Sequence, residues 1–133
     1  MKTVKDATET FKIVNKFMGA NQLKAMADGI RSGEGQFFID KACEMAEIIK
    51  NMPKSSETRG QGKEAVIILH YFTGSWDWYI VEKDIDTDGK GQIQTFGMVD
   101  GFEREMGYIN LKEITSAGAE LDLHWTPKKL KDI

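Results

Sequence analysis

One cysteine, Cys43, two prolines and two histidines are all that the chain contains of those residues, and each scarcity closes a class of explanation. A lone thiol forms no intramolecular disulfide and supplies no multi-cysteine zinc site, which suits a reducing, cytoplasmic compartment. No stretch approaches the roughly 18 consecutive apolar residues of a membrane-spanning helix. The opening MKTVKDATETFK has lysines but no apolar run behind them, so no export signal is expected. Cations are not in excess either: Lys and Arg number 18 against 21 Asp and Glu, a formal net charge of −3 with the signs mixed along most of the chain. Nucleic acid is therefore not the expected partner, because a phosphate-binding face needs clustered Lys and Arg. The patterns GxSxG, HExxH, GxxxxGK[ST] and GxGxxG are absent, and no cofactor is expected.

What is present is enough for one domain: 133 residues, 41% of them hydrophobic. Val4, Ala7, Phe11, Val14 and Met18 recur at helical spacing, Leu23, Met26, Ala27 and Ile30 follow with Asn21 as the expected N-cap, and a third run from Gly35 to Met52 is ended by Pro53. This helical part covers 1–52. Residues 53–64, PKSSETRGQGK and its neighbour, have no apolar side chain up to Lys63 and read as an exposed linker or loop. From Ala65 to Phe72 a continuous apolar run predicts a central strand buried on both faces. In WDWYIVEKD strict alternation puts Trp76, Trp78, Ile80 and Glu82 on one face, and Asp77, Tyr79, Val81 and Lys83 on the other. Further strands are expected at Ile93–Val99, near Tyr108 and at Glu120–Trp125, with a short helix near 111–117 closed by Gly118. The expected fold is α+β, with N-terminal helices packed on a mostly antiparallel, twisted sheet.

The stretch DIDTDGKGQI places Asp84, Asp86 and Asp88 as a calcium loop would, yet Thr95 stands where the bidentate glutamate belongs and the flanks read as strands. Asp-Gly between alternating segments signals a hairpin, with metal binding at its acidic tip as the alternative. His124 and Asp122, together with Asp77 or His70 and with Glu82 in a hydrolase, form a candidate general-base or metal constellation; against it stands the reading of His70 as a hydrogen-bonded near-core histidine and His124 as a surface residue. Cys43, among apolar positions of a helix, reads as an inert thiol. Trp76, Trp78 and Tyr79 read as sheet core or, where exposed, as a surface for a protein partner or for stacked bases.

The β-rich half also resembles a known family. Trp78-Tyr79-Ile80-Val81-Glu82, Phe96-Gly97-Met98-Val99-Asp100, Glu105-Met106-Gly107-Tyr108-Ile109-Asn110-Leu111 and Asp122-Leu123-His124-Trp125-Thr126-Pro127 occur in the order found in small phage and plasmid proteins of unknown function. The resemblance runs from about Ala65 to Leu130 and implies a bacterial mobile element, whose genes of this kind travel with others that counter host restriction. Together with the absence of catalytic signatures, the dense aromatics and the mixed surface, this context leads to the expectation of a non-enzymatic protein that binds a host protein, such as a defence component, in the host cytoplasm. The expected partner surface is Trp76, Trp78 and Tyr79 with the acidic Asp84, Asp86, Asp88, Glu103 and Glu105, which would meet a basic partner. A small metal-assisted hydrolase or nuclease, or a single-stranded nucleic-acid binder, is the alternative.

Overall fold

The computed structural model describes residues 1–84 and 94–133. Helix α1 (Val4–Val14) starts from a capping box: the Asp6 N–H donates to the Thr3 hydroxyl and the Thr3 N–H to the Asp6 carboxylate. Helix α2 (Ala20–Ile30) begins one residue before the expected cap. Its N-cap is Gly19, where a Cβ would sit 3.2 Å from the Thr115 carbonyl oxygen, so the close approach of two backbones fixes the start instead of the Asn21 side chain. Helix α3 (Gly35–Asn51) stops ahead of Pro53 as expected. Its C-terminus is capped from the sheet: the fully buried Lys83 ammonium donates to the carbonyls of Ile49, at 2.7 Å, and Lys50, at 3.1 Å, where the helix dipole favours a cation.

The apolar run after Ala65 is divided between two sheets. Strand β1 (Val66–Ile67) and strand β2 (Leu69–Thr73) flank Ile68. Strand β3 (Trp76–Glu82), β4 (Gln94–Asp100) and β5 (Arg104–Asn110) follow, then helix α4 (Leu111–Ser116), strand β6 (Glu120–Leu121) and strand β7 (Lys128–Lys129). The main sheet is antiparallel with the order β5-β4-β3-β2-β6, so β3 is its centre and β2 is not. β1 leaves this sheet to pair with β7. Asp122–Trp125, expected to continue the last strand, is a turn.

α1, α2 and α3 cover one face of the sheet. Tyr71, Leu69, Ile80 and Leu121 from the strands meet Phe17, Met26 and Ile49 from the helical part in one core. Each large aliphatic side chain buried there contributes about 1.5–3 kcal/mol. A smaller core of Ala65, Ile67, Val81 and Leu130 lies with Tyr79, Phe96 and Met98 on the other face.

The strict alternation expected along β3 fails at its end. Ile80 pairs with Gly97, but the next β4 residue, Phe96, pairs with Glu82, so Val81 is the extra residue of a β-bulge. Glu82 thereby moves to the face of Phe96, away from Trp76, Trp78 and Ile80, and Lys83 turns to the end of α3, which it caps. Gly97 is required at this point, since a Cβ would lie 2.0 Å from the Tyr79 carbonyl oxygen. Gly107, by contrast, has no atom within 4 Å of a would-be Cβ and lacks a positive φ.

Candidate functional site on the open face of the sheet

Directly paired residues of an antiparallel sheet share a face, so register alone lays out the side opposite the helices. One row runs Phe72, Asp77, Asp100, Arg104 across β2 to β5. The next runs His70, Tyr79, Met98, Met106. His70 lies diagonal to Asp77, with Nε2 2.7 Å from its Oδ1, while Nδ1 lies 3.0 Å from Asp122 Oδ2. Asp122 is held in place by its own backbone, whose N–H donates to the His70 carbonyl at 2.8 Å.

An ionised carboxylate only accepts, so both contacts are hydrogen bonds when both ring nitrogens carry protons or one carboxyl does. Neither nitrogen is then open to a substrate, and a general base would need one. The ring is closed in by Tyr79, stacked at 5.0 Å, and Trp125, at 4.9 Å, whose indole N–H donates to the Ile67 carbonyl. Partial burial works to raise the Asp122 carboxyl, but hydrogen bonds from His70 and the His124 N–H outweigh it and hold the carboxyl below its ordinary value. Burial, with Asp77 and Asp100 close by, pushes the Tyr79 phenol up.

Asp77 and Asp100 are like charges directly opposite each other, an unfavourable pairing by itself. Each has its own partner: His70, whose Nε2 lies 2.7 Å from Asp77 Oδ1, and Arg104, whose Nε donates to Asp100 Oδ2 at 3.2 Å. The result is a polar ribbon, Asp122–His70–Asp77 beside Asp100–Arg104, laid across four strands and the turn after β6. Sequence reasoning set Asp77 and His70 side by side as alternative partners of Asp122 and read His70 as a hydrogen-bonded near-core histidine; the structure makes it the link between the two carboxylates. The Thr73–Ser75 turn held the missing signal, because it sets residue 70 opposite 79 and places 70 within reach of 77.

The remaining expected site residues are dispersed. Glu82 is buried beneath the 53–64 segment, where it accepts from the N–H groups of Ser56, at 2.8 Å, and Thr58, at 2.9 Å, and from the Thr58 hydroxyl. That segment is mostly exposed and is pinned by the Glu82 carboxylate. His124 is exposed, with its ring 6.4 Å from that of Phe37. Trp78 is buried and Trp76 packs on it and on Gly101, both on the helix side, whereas Tyr79 is on the open face. The three aromatics therefore do not form one stacking platform. Glu103 and Glu105 are exposed at the start of β5, and Glu105 faces the helix side opposite Val99. Asp84 follows β3 and is partly buried, while Asp86 and Asp88, and with them the acidic tip, lie outside the described residues. Its flanks are the paired strands β3 and β4, not the helices of a calcium hand. Among the described residues no group of three or more His, Cys, Asp or Glu is arranged to hold a metal ion. Burial raises the Cys43 thiol, which keeps it protonated and unreactive.

Expectations from the sequence did not reach the sheet edges. At β6 the Gln22 amide stands in for a neighbouring strand: its Nε2 donates to the Leu121 carbonyl at 2.8 Å and its Oε1 accepts from the Leu121 N–H at 2.9 Å. β5 is the other edge, and among the described residues no strand pairs with its outer side. Tyr108 is 69% and Met106 47% exposed on its open face, and Phe102 stands almost fully in solvent at its foot. No protein-family model matches this chain, and neither a curated protein nor a solved structure matches it.

Proposed function

We propose that this is a non-enzymatic protein whose task is to bind another protein, and that the partner adds an extended segment to the outer edge of β5. The observation that carries the reading is the asymmetry of the two edges. One is closed by a side chain committed to two strand-like hydrogen bonds, and at the other, among the described residues, no strand pairs with the outward-facing backbone donors and acceptors. Natural edges are ordinarily blunted by charge, proline or a bulge. The central stretch Met106-Gly107-Tyr108-Ile109 has none of these and pairs with β4 in unbroken register. Backbone pairing would give affinity, and Met106 and Tyr108 would give the apolar contacts that select the segment.

Resemblance to mobile-element proteins supports placing that partner in a bacterial host, as a component of its defences, with the protein acting as an inhibitor. The stacking and hydrolase readings draw less support, since Trp76 and Trp78 lie across the sheet from Tyr79, and Asp77 and Asp122 are both spent on His70.

Capture from bacterial lysate with tagged wild type, Met106→Lys and Tyr108→Lys, quantified by mass spectrometry, tests the proposal. A stoichiometric protein should be retained by the wild type and lost by about tenfold or more in each variant, as expected when a contact residue at the centre of an interface is replaced by a charge. Circular dichroism checks that the variants keep the fold. A partner held equally by all three removes β5 as the surface, and the absence of any stoichiometric partner overturns the binding reading.

A further inference from the structure

A second feature of the open face lies where β4 and β5 pass under the chain's last turns. Met98, Met106 and Leu130 floor a cleft of about 480 Å³, with Ile133 at its side. That is within the roughly 300–1,000 Å³ range of small-molecule pockets, and a floor rich in methionine adapts to the shape of an apolar guest. In a chain of net charge −3, every ionisable side chain lining it is a cation: Lys63, Arg104 and Lys131.

The local counter-charges do not exhaust these donors. Glu64 is shared by Lys129, at 2.7 Å, and Lys131, at 2.9 Å, so one carboxylate serves two ammonium groups. Arg104 gives Nε to Asp100 and Nη1 to the backbone oxygen of Ile133, at 3.1 Å. A guanidinium has five N–H groups, which leaves others for a ligand. Lys63 makes no ion pair among the described residues.

From the apolar floor and cationic rim we infer that the cleft binds a small amphiphilic monocarboxylate, its hydrocarbon body on the methionines and its head group between Lys63, Arg104 and Lys131. The charge complementarity decides the occupant: a neutral or cationic amphiphile would find the same floor but leave the rim unused or opposed. The inference is independent of the β5 reading, although Met106 contributes to both surfaces, because a small ligand needs no protein partner.

Octanoate, 1-octanol and octyltrimethylammonium, each below its micellar concentration, provide the test. Each is titrated into the whole protein by calorimetry, with amide chemical shifts followed in parallel. Octanoate should bind at one site per chain, at least tenfold more tightly than octanol, with shifts centred on Met98, Met106 and Leu130, and the cation should not bind. Lys63→Glu, at an exposed position with no ion pair among the described residues to lose, should weaken octanoate by threefold or more, and Met98→Glu should abolish it. Equal affinity for the three amphiphiles, unaltered affinity in Lys63→Glu, shifts located elsewhere, or no saturable binding would each overturn the assignment.

Discussion

Asp122 illustrates how much one side chain can organise. It lies after β6, accepts from His70 and from the His124 N–H, and its backbone N–H is bonded to the His70 carbonyl, so the turn after β6 and the open face are tied together at one residue. Its carboxyl is held below the ordinary 3.8. A carboxyl depressed in the folded state contributes stability that is present above its unfolded value and is lost as the pH falls through the depressed folded value. Asp122→Asn is therefore expected to cost about 1–2 kcal/mol at neutral pH, the scale of a hydrogen bond to a charged group. In urea unfolding of both proteins between pH 7 and pH 2, the gap between them should hold at neutral pH and close once the solution is more acidic than that carboxyl. A constant gap throughout would mean that the shape of Asp122, not its charge, supports the turn.

At the scale of elements, the bulge in β3 does more than bend a strand. One unpaired residue, Val81, sends Glu82 under the 53–64 segment and Lys83 onto the end of α3, so a loop and a helix are both anchored from one irregularity in the central strand. Gly97 makes the bulge possible by letting the β3 backbone come close. Gly97→Ala should destabilise by about 1–3 kcal/mol, because the atom it meets is a main-chain oxygen that cannot rotate away. Gly107→Ala, at the residue of β5 directly paired with Gly97, should be neutral or stabilising by up to about 1 kcal/mol, since its Cβ enters open space and alanine suits a strand better. Thermal melts of the two variants side by side check this, and equal losses would place the constraint elsewhere than the bulge.

The whole molecule is a helical layer, a five-stranded sheet and a partly covered outer face, and its two sheet edges are treated differently. Closing β6 with Gln22 ties α2 to the strand of the main sheet farthest from it in sequence, while among the described residues no strand covers β5 at the other edge. Gln22→Ala should cost about 1–2 kcal/mol for its two hydrogen bonds, and it should expose a second edge. Light scattering over a concentration series is expected to show self-association in this variant beyond that of the wild type. A variant that loses stability without associating would mean that two residues of β6 are too short an edge to recruit another chain.

Much of this architecture is legible in local pattern. The three-and-four spacing gives three helices, Pro53 ends the third, alternation gives β3 and the first two residues of the run that becomes β6, β4 falls where a strand was expected, and Gly118 at positive φ closes α4 as its position suggests. These features depend on neighbours within a few residues, so the sequence by itself determines them: α+β, helices first, a largely antiparallel sheet after. The division of Ala65–Phe72 between two sheets was not legible, because both halves are equally apolar and only the docking of β7 draws β1 away. Nor was the bulge, since the residues of WDWYIVEKD alternate perfectly and the break is imposed by what Glu82 and Lys83 find across space. The candidate site belongs wholly to tertiary structure: His70 and Asp122 are 52 positions apart, and they meet because sheet register and the turn after β6 bring them together. Alternation assigns a side chain to a face; only the paired strands and the covering segments decide its neighbours, and the chemistry of a site is the chemistry of those neighbours.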